Sequence, residues 1–186
     1  MDRQILLTAL AILAFGMALN LHLSLAVLRR QRMGKEIPAA PMPGDRLPHI
    51  QARGPGAHGR QALAPAGQAC ALLFLSSKCD KCRAHLPDLA ALLPVAAEAG
   101  LAMRIVSIEP WYRLRRFLDG TPLAAAAYRL RLEDYKKLNP TLTSPAYLFV
   151  DHEGSVEAAG LIGDAAWLGL RAQLTQSTLE EEEAAA

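Results

Sequence analysis

The stretch Leu73-Phe74-Leu75-Ser76-Ser77-Lys78-Cys79-Asp80-Lys81-Cys82-Arg83 constrains the fold more than any other part of the chain. An apolar run gives way to small polar residues and then to two cysteines separated by two residues. Leu86, Leu89, Leu92 and Leu93 come next at helical spacing. The continuous apolar run, residues 69–76, fits a central strand covered on both faces, and the leucine pattern fits an amphipathic helix. The cysteine pair therefore stands at a strand-to-helix junction. The orphan N–H groups and the dipole of a helix's first turn favour a thiolate there. Three cysteines in 186 residues are too few to staple a scaffold, and two of them in this spacing point to redox work.

Each residue near the pair has a role and a plainer alternative. Cys79, first in line, is the expected nucleophile, and Cys82, one turn inside the helix, the resolving thiol. The plainer reading, two small buried hydrophobes, suits this spacing poorly. Lys78, Lys81 and Arg83 crowd the pair with positive charge, and Asp80 opposes them. His85, a turn beyond Cys82, is a candidate proton shuttle or a solvated helix residue. Metal binding is the other chemical class, since Cys79, Cys82, His85 and Cys70 make four candidate ligands. Structural zinc usually needs two cysteine knuckles, however, and only one is present, so no metal or other cofactor is expected. Cys70, at the start of the strand, is expected to pack in the core. Pro145, before the apolar run 146–150, is the second chemical signal. A cis bond there would expose the backbone of Ser144 for pairing with an extended peptide near the cysteines.

The rest of the chain anchors and spaces this unit. Residues 5–28 carry no formal charge apart from the titratable His22, a length that crosses a bilayer as one helix. An uncleaved anchor is expected over 1–28, because the run is long for a signal peptide. Residues 29–46 read as a proline-rich, basic linker, 47–178 as the folded domain and 179–186 as an acidic and alanine-rich tail. Within the domain the pattern predicts an edge strand over 47–52, loop over 54–67 and helix over 80–98 ended by Gly100. It then gives strand over 101–108, a basic amphipathic segment over 111–118 and helix over 123–138. A hairpin over 146–150 and 155–160 and a helix over 164–174 complete it. That order describes an α/β fold, a mixed sheet with helices on both faces. The basic residues, 20 against 18 acidic, are spread out and not interleaved with aromatics, which excludes a nucleic-acid footprint. Orientation has two opposed readings. Arg29, Arg30, Arg32 and Lys35 come directly after the apolar run and put the domain in the cytoplasm by charge, whereas an anchored dithiol works best on the oxidising side.

On these residues the chain resembles the thioredoxin-like superfamily over roughly 48–174. Cys79-Asp80-Lys81-Cys82 comes after an apolar strand, Pro87 stands where that fold's active-site helix is usually kinked, and Ser144-Pro145 is similar to its cis-proline loop. Asp151-His152-Glu153-Gly154 is similar to the turn of its last hairpin. Within the superfamily it most resembles the membrane-anchored TlpA/redoxin branch, and there the MauD accessory proteins of methylamine dehydrogenase. The Leu73-Phe74-Leu75-Ser76 lead-in, Leu86-Pro87 and the segment from Ser144 to Asp151 carry that likeness. The resemblance implies a protein thiol–disulfide oxidoreductase with Cys79 and Cys82 catalytic, Ser144 and Pro145 binding substrate, and Lys78, Lys81 and His85 as modulators. It implies a single-pass protein of the inner membrane with its domain in the periplasm. A disulfide-containing partner protein and a membrane donor or acceptor of dithiol electrons would be its partners. The alternative is a non-catalytic assembly chaperone or metal carrier on the same fold. The chain departs from the general thioredoxin pattern, because Lys78 replaces the usual Trp, Asp80-Lys81 the Gly-Pro, and Leu73 the buried acid. Those departures imply a slower oxidoreductase devoted to few partners.

Overall fold

The computed structural model describes residues 2–32, 39–56 and 59–185, which fall into two units, Met1–Pro38 and Ala39–Ala186. In the first unit a helix, α1, covers Asp2–Arg32. Among the described residues no helix is long and apolar enough to cross a membrane. The expected span over 5–28 is thus helical, but its described side chains include Asn20, His22 and Ser24, and the Ser24 hydroxyl donates to Asn20 Oδ1 at 3.3 Å. Part of the expected linker, 33–38, lies outside the described residues.

The second unit is built on a five-stranded sheet. Its strands are β3 (Cys70–Phe74), β4 (Ala102–Ser107), β5 (Ala127–Arg129), β6 (Ala146–Val150) and β7 (Val156–Leu161), in the order β5-β4-β3-β6-β7. A two-residue pair, β1 (Gln51–Ala52) with β2 (Gln61–Ala62), forms a second small sheet, tied to the edge strand β5 by an antiparallel bridge between Arg53 and Arg129. The β3–β4 and β4–β5 pairs are parallel, and β3–β6 and β6–β7 antiparallel. Because successive side chains on a strand point to opposite faces, β3 feeds two cores at once. Ala71, Leu73 and Leu75 join Leu86, Leu89, Phe149 and Trp167 on one face. Cys70, Leu72 and Phe74 join Ile50, Leu63, Tyr135 and Leu148 on the other. Burial on both faces is why the strand reads as an unbroken apolar run.

The helices are α2 (Asp80–Glu98), α3 (Trp111–Leu118), α4 (Leu132–Leu138) and α5 (Ala165–Ala185). α2 buries Cys82, Leu86, Leu89, Leu92 and Ala96, a stripe at three- and four-residue spacing. It continues through Pro87 and Pro94 and stops before Gly100, whose φ of 72° is the left-handed conformation that ends a helix.

Three expectations need correction. The helix expected over 123–138 is instead a 3-10 turn at Pro122–Ala126, the strand β5 and the short α4. The alanines favour helix locally, but Ala127 pairs with Ile105 and Tyr128 with Val106, so sheet pairing overrides propensity. The loop expected over 54–67 contains β2, and of the edge strand expected over 47–52 only the last two residues are strand, paired with β2. The final helix runs past residue 174 to Ala185 and takes in most of the expected frayed tail.

Candidate active site

Topology gathers the site at one end of the sheet. β3 ends at Phe74 beside Ala146, the first residue of its antiparallel neighbour β6, and beside Val106 near the end of its parallel neighbour β4. The cysteines lie just after β3, Ser144-Pro145 just before β6 and Glu109 just after β4, so the three meet at this end. The Ser144–Pro145 peptide bond is cis, as the likeness to a cis-proline loop implies.

Cys79 is the N-cap of α2, with an extended backbone (φ −106°, ψ 111°). Its sulfur accepts the Cys82 N–H at 3.1 Å, the contact a capping side chain makes with a donor of the first turn. On its other side the thiol donates to the Ser144 carbonyl oxygen at 3.5 Å. Cys79 is partly exposed, whereas Cys82 is fully buried, and all three cysteines are free thiols. Burial first, and then the hydrogen bond with Cys79, push the Cys82 thiol up to about 12. A buried thiol and a reachable one thus share the first turn of a single helix, which is what a resolving and an attacking cysteine need. Cys70 lies at the far end of β3, roughly 13 Å along the strand from Phe74, and its thiol is also raised by burial.

The structure places Cys79, Cys82, Ser144 and Pro145 together. Lys78 and Lys81 are exposed, and His85 is half-buried on α2. Among the described residues no three His, Cys, Asp or Glu side chains converge as metal ligands. Sequence reasoning gave Glu109 no firm role, and the structure gives it one. Its Oε1 accepts the Ser76 hydroxyl at 2.7 Å and the Ser77 N–H at 2.9 Å, pinning the turn that leads to Cys79. Burial works against its charge, but the Ser77 and Ser76 hydrogen bonds, with Arg113 nearby, outweigh it and hold the carboxyl below its ordinary range. Glu109→Ala is expected to cost about 2 kcal/mol in urea unfolding at neutral pH. This carboxylate's share of stability is present above its ordinary value of 4.5 and lost as pH falls through the lower folded value, so the variant should also lose less stability on acidification. Asn139, also unforeseen, braces the proline loop. Its side-chain amide donates to the Thr143 carbonyl at 2.7 Å, and its Oδ1 accepts the Thr143 N–H at 3.1 Å.

Alkaline pH should act on the reduced form. Burial raises Tyr135 and Tyr147 from 10.0 to about 12, with Asp164 adding to the second, as it raises Cys82 from 9.0. A folded value above the unfolded one stabilises fully below the unfolded value and is lost as pH rises through the folded one. Melting temperature monitored by circular dichroism is therefore expected to fall steadily between pH 9 and 12.

No family model matches the sequence, and none of the curated proteins matches it. Solved structures do. The thioredoxin domain of a thiol-disulfide oxidoreductase from Bacteroides vulgatus aligns with a TM-score of 0.59 at 20% identity, over 72% of this chain and 98% of that one. A structure from Chlorobium tepidum named for thiol:disulfide interchange protein DsbE aligns with 0.61 at 20% identity, over 75% and 99%. A peroxiredoxin-like protein from Aquifex aeolicus aligns with 0.55 at 17% identity, over 67% and 78%. At such identities the likeness is one of fold: the second unit has a thioredoxin-like fold, with a central mixed sheet flanked by helices.

Proposed function

We propose that the chain is a protein thiol–disulfide oxidoreductase, tethered to the inner membrane, that acts on a partner protein during its maturation. One observation carries the reading: a partly exposed thiol caps a helix, with a buried thiol one turn inside and a backbone carbonyl of the proline loop beside it. In the reductive direction the Cys79 thiolate attacks one sulfur of a partner disulfide. The other partner sulfur leaves as a thiolate and takes a proton from water. Cys82 then loses its proton and attacks the Cys79 sulfur, expelling the partner's second thiolate. Two electrons pass to the partner, and a Cys79–Cys82 disulfide remains for a membrane dithiol donor to reduce. The same steps in reverse oxidise a partner dithiol.

Ser144 and Pro145 would bind the partner's chain, extended beside the sulfur. Lys78, Lys81 and His85 would tune the pair. The charge-free run 5–28 and the exposed side chains of Ile12, Leu13, Phe15 and Met17 on α1 support the tether. The accessory role, in the manner of TlpA and MauD proteins, and the periplasmic side rest on the motifs Leu73–Ser76, Leu86-Pro87 and 144–151.

The test is capture in cells. Cys82→Ser should accumulate as a reducible adduct with one or a few proteins in the membrane fraction, and Cys79→Ser/Cys82→Ser should not. Removing residues 1–28 should release the chain from carbonate-washed membranes. Capture of nothing, or adducts that persist without Cys79, would refute the reading.

A further inference from the structure

Among the described residues, the three arginines beside the dithiol make no ion pair, although Arg83 lies over the Phe117 ring and Arg113 over the Tyr112 ring. Arg83, in the first turn of α2, and Arg113 and Arg116, one turn apart on α3, line a cavity of about 320 Å³ together with Ser77 and Phe117. All three guanidiniums belong to exposed residues, while Phe117 is buried beneath them. The Arg83 guanidinium lies 5.5 Å from the Phe117 ring centre, which holds it over the cavity floor. Among the described residues the one ion pair is Lys137–Asp134, so none of the three arginines has a carboxylate within 4.0 Å. Glu109 interacts electrostatically with Arg113, but the hydrogen bonds of its Oε1 go to Ser76 and Ser77 and not to a guanidinium. Arg116 suits the last turn of α3, but a cation in the first turn of α2 works against the helix dipole, so helix stability does not explain Arg83.

We infer that this cavity is the specificity pocket of the active site, and that it takes acidic side chains flanking the reactive cysteine of the partner. The inference rests on the proposed oxidoreductase reading and names the substrate class. Guanidinium forks match carboxylates bidentately, and three of them facing the one carboxylate of Glu109 leave a net positive field that an acidic segment would neutralise. Ser77 links pocket and chemistry, since it lines the cavity and lies two residues before Cys79. An extended chain advances roughly 3.3 Å per residue, so a carboxylate one to three positions from the partner's cysteine reaches the pocket while that sulfur meets Cys79. The reaction is the same thiol–disulfide exchange, with electrons supplied by the Cys79/Cys82 dithiol.

The test uses the reduced full chain and the symmetric disulfides of three capped tripeptides, Glu-Cys-Glu, Gln-Cys-Gln and Lys-Cys-Lys. Each rate is divided by that of dithiothreitol with the same peptide, to remove intrinsic differences between the disulfides. At low salt the acidic peptide is expected to react about tenfold faster than the neutral one, and the basic one slowest. At about 0.5 M salt the preference should fall below about twofold. Arg83→Gln/Arg113→Gln/Arg116→Gln should bring the acidic-to-neutral ratio close to one. Because the ratio is taken within one variant, a general change in Cys79 reactivity cancels. Arg53→Gln/Arg60→Gln/Arg131→Gln, which removes the same charge around a different cavity, should keep the preference. A wild-type ratio near one, a ratio unmoved in the first triple variant, or equal loss in both would overturn the inference. Reduction of none of the peptides would instead remove the oxidoreductase reading and this inference with it, whereas reduction of all three at equal rates would remove the inference alone.

Discussion

Cys79→Ser is expected to abolish disulfide exchange, lowering the rate by more than about 10³-fold, as removal of a nucleophile does. Cys70→Ser should leave it nearly intact. The contrast comes from position. Cys79 is the partly exposed sulfur at the helix cap, Cys82 is buried behind it, and Cys70 is sealed at the other end of β3 with its thiol toward the Gln68 carbonyl at 3.5 Å. A partner disulfide can reach the first sulfur only. Cys82→Ser should behave differently from both. The first exchange proceeds and resolution fails, so one turnover ends in a stable mixed disulfide. Alkylation of the reduced wild type should keep the same order, with iodoacetamide modifying Cys79 well before Cys82 or Cys70. Rates for the three single variants, measured against one peptide disulfide, check this directly. Equal rates for Cys79→Ser and wild type would mean that the helix cap is not where exchange begins.

Phe74→Ala is expected to destabilise the domain by about 3–5 kcal/mol, the cost of a cavity left by a large buried aromatic side chain. Phe74 is 1% exposed on the central strand, and its ring meets Tyr135 edge-on with centroids 5.2 Å apart. It is also the residue at which β3 lies between Val106 of β4 and Ala146 of β6. The loss should therefore appear in the sheet and not in a loop. For a unit of this size each kcal/mol shifts the melting temperature by roughly 2–4 °C, so a drop on the order of 10 °C is expected. Leu161→Ala, at the edge of the sheet with 52% of its surface exposed, should cost less than about 0.5 kcal/mol. Thermal unfolding of the two variants side by side separates core burial from general sensitivity.

Legibility from the sequence tracked the range of the interactions. The junction of β3 with α2 is local, and its apolar run, cysteine spacing and leucine stripe all point one way, so it can be read directly. The proline loop could be placed because Pro145 precedes an obvious strand. β5 was hidden because the run Ala124 to Ala127 favours helix, and only pairing with Ile105 and Val106, some twenty residues earlier, makes a strand of it. Glu109 could not be assigned, since its contact with Ser76 spans 33 residues and exists only because β4 lies parallel to β3. The arginine pocket has the same origin. Arg113 and Arg116 belong to the basic amphipathic segment over 111–118, and only the fold brings Arg83 and Ser77 against them. Asn139, which holds the proline loop through Thr143, carries no signal beyond the Asn-Pro turn it begins.

Redox titration of the dithiol tests the central claim most directly. The full chain is equilibrated across a series of reduced and oxidised glutathione ratios, quenched with acid and alkylated, and its free thiols are counted by mass. Oxidation is expected to take the count from three to one in a single two-electron step of about 30 mV per tenfold change in the ratio of disulfide to dithiol. Peptide mapping should place the new bond between Cys79 and Cys82, with Cys70 still free. A count that stays at three across the range, or a disulfide that includes Cys70, would contradict the assignment of the helix-cap pair as the redox centre.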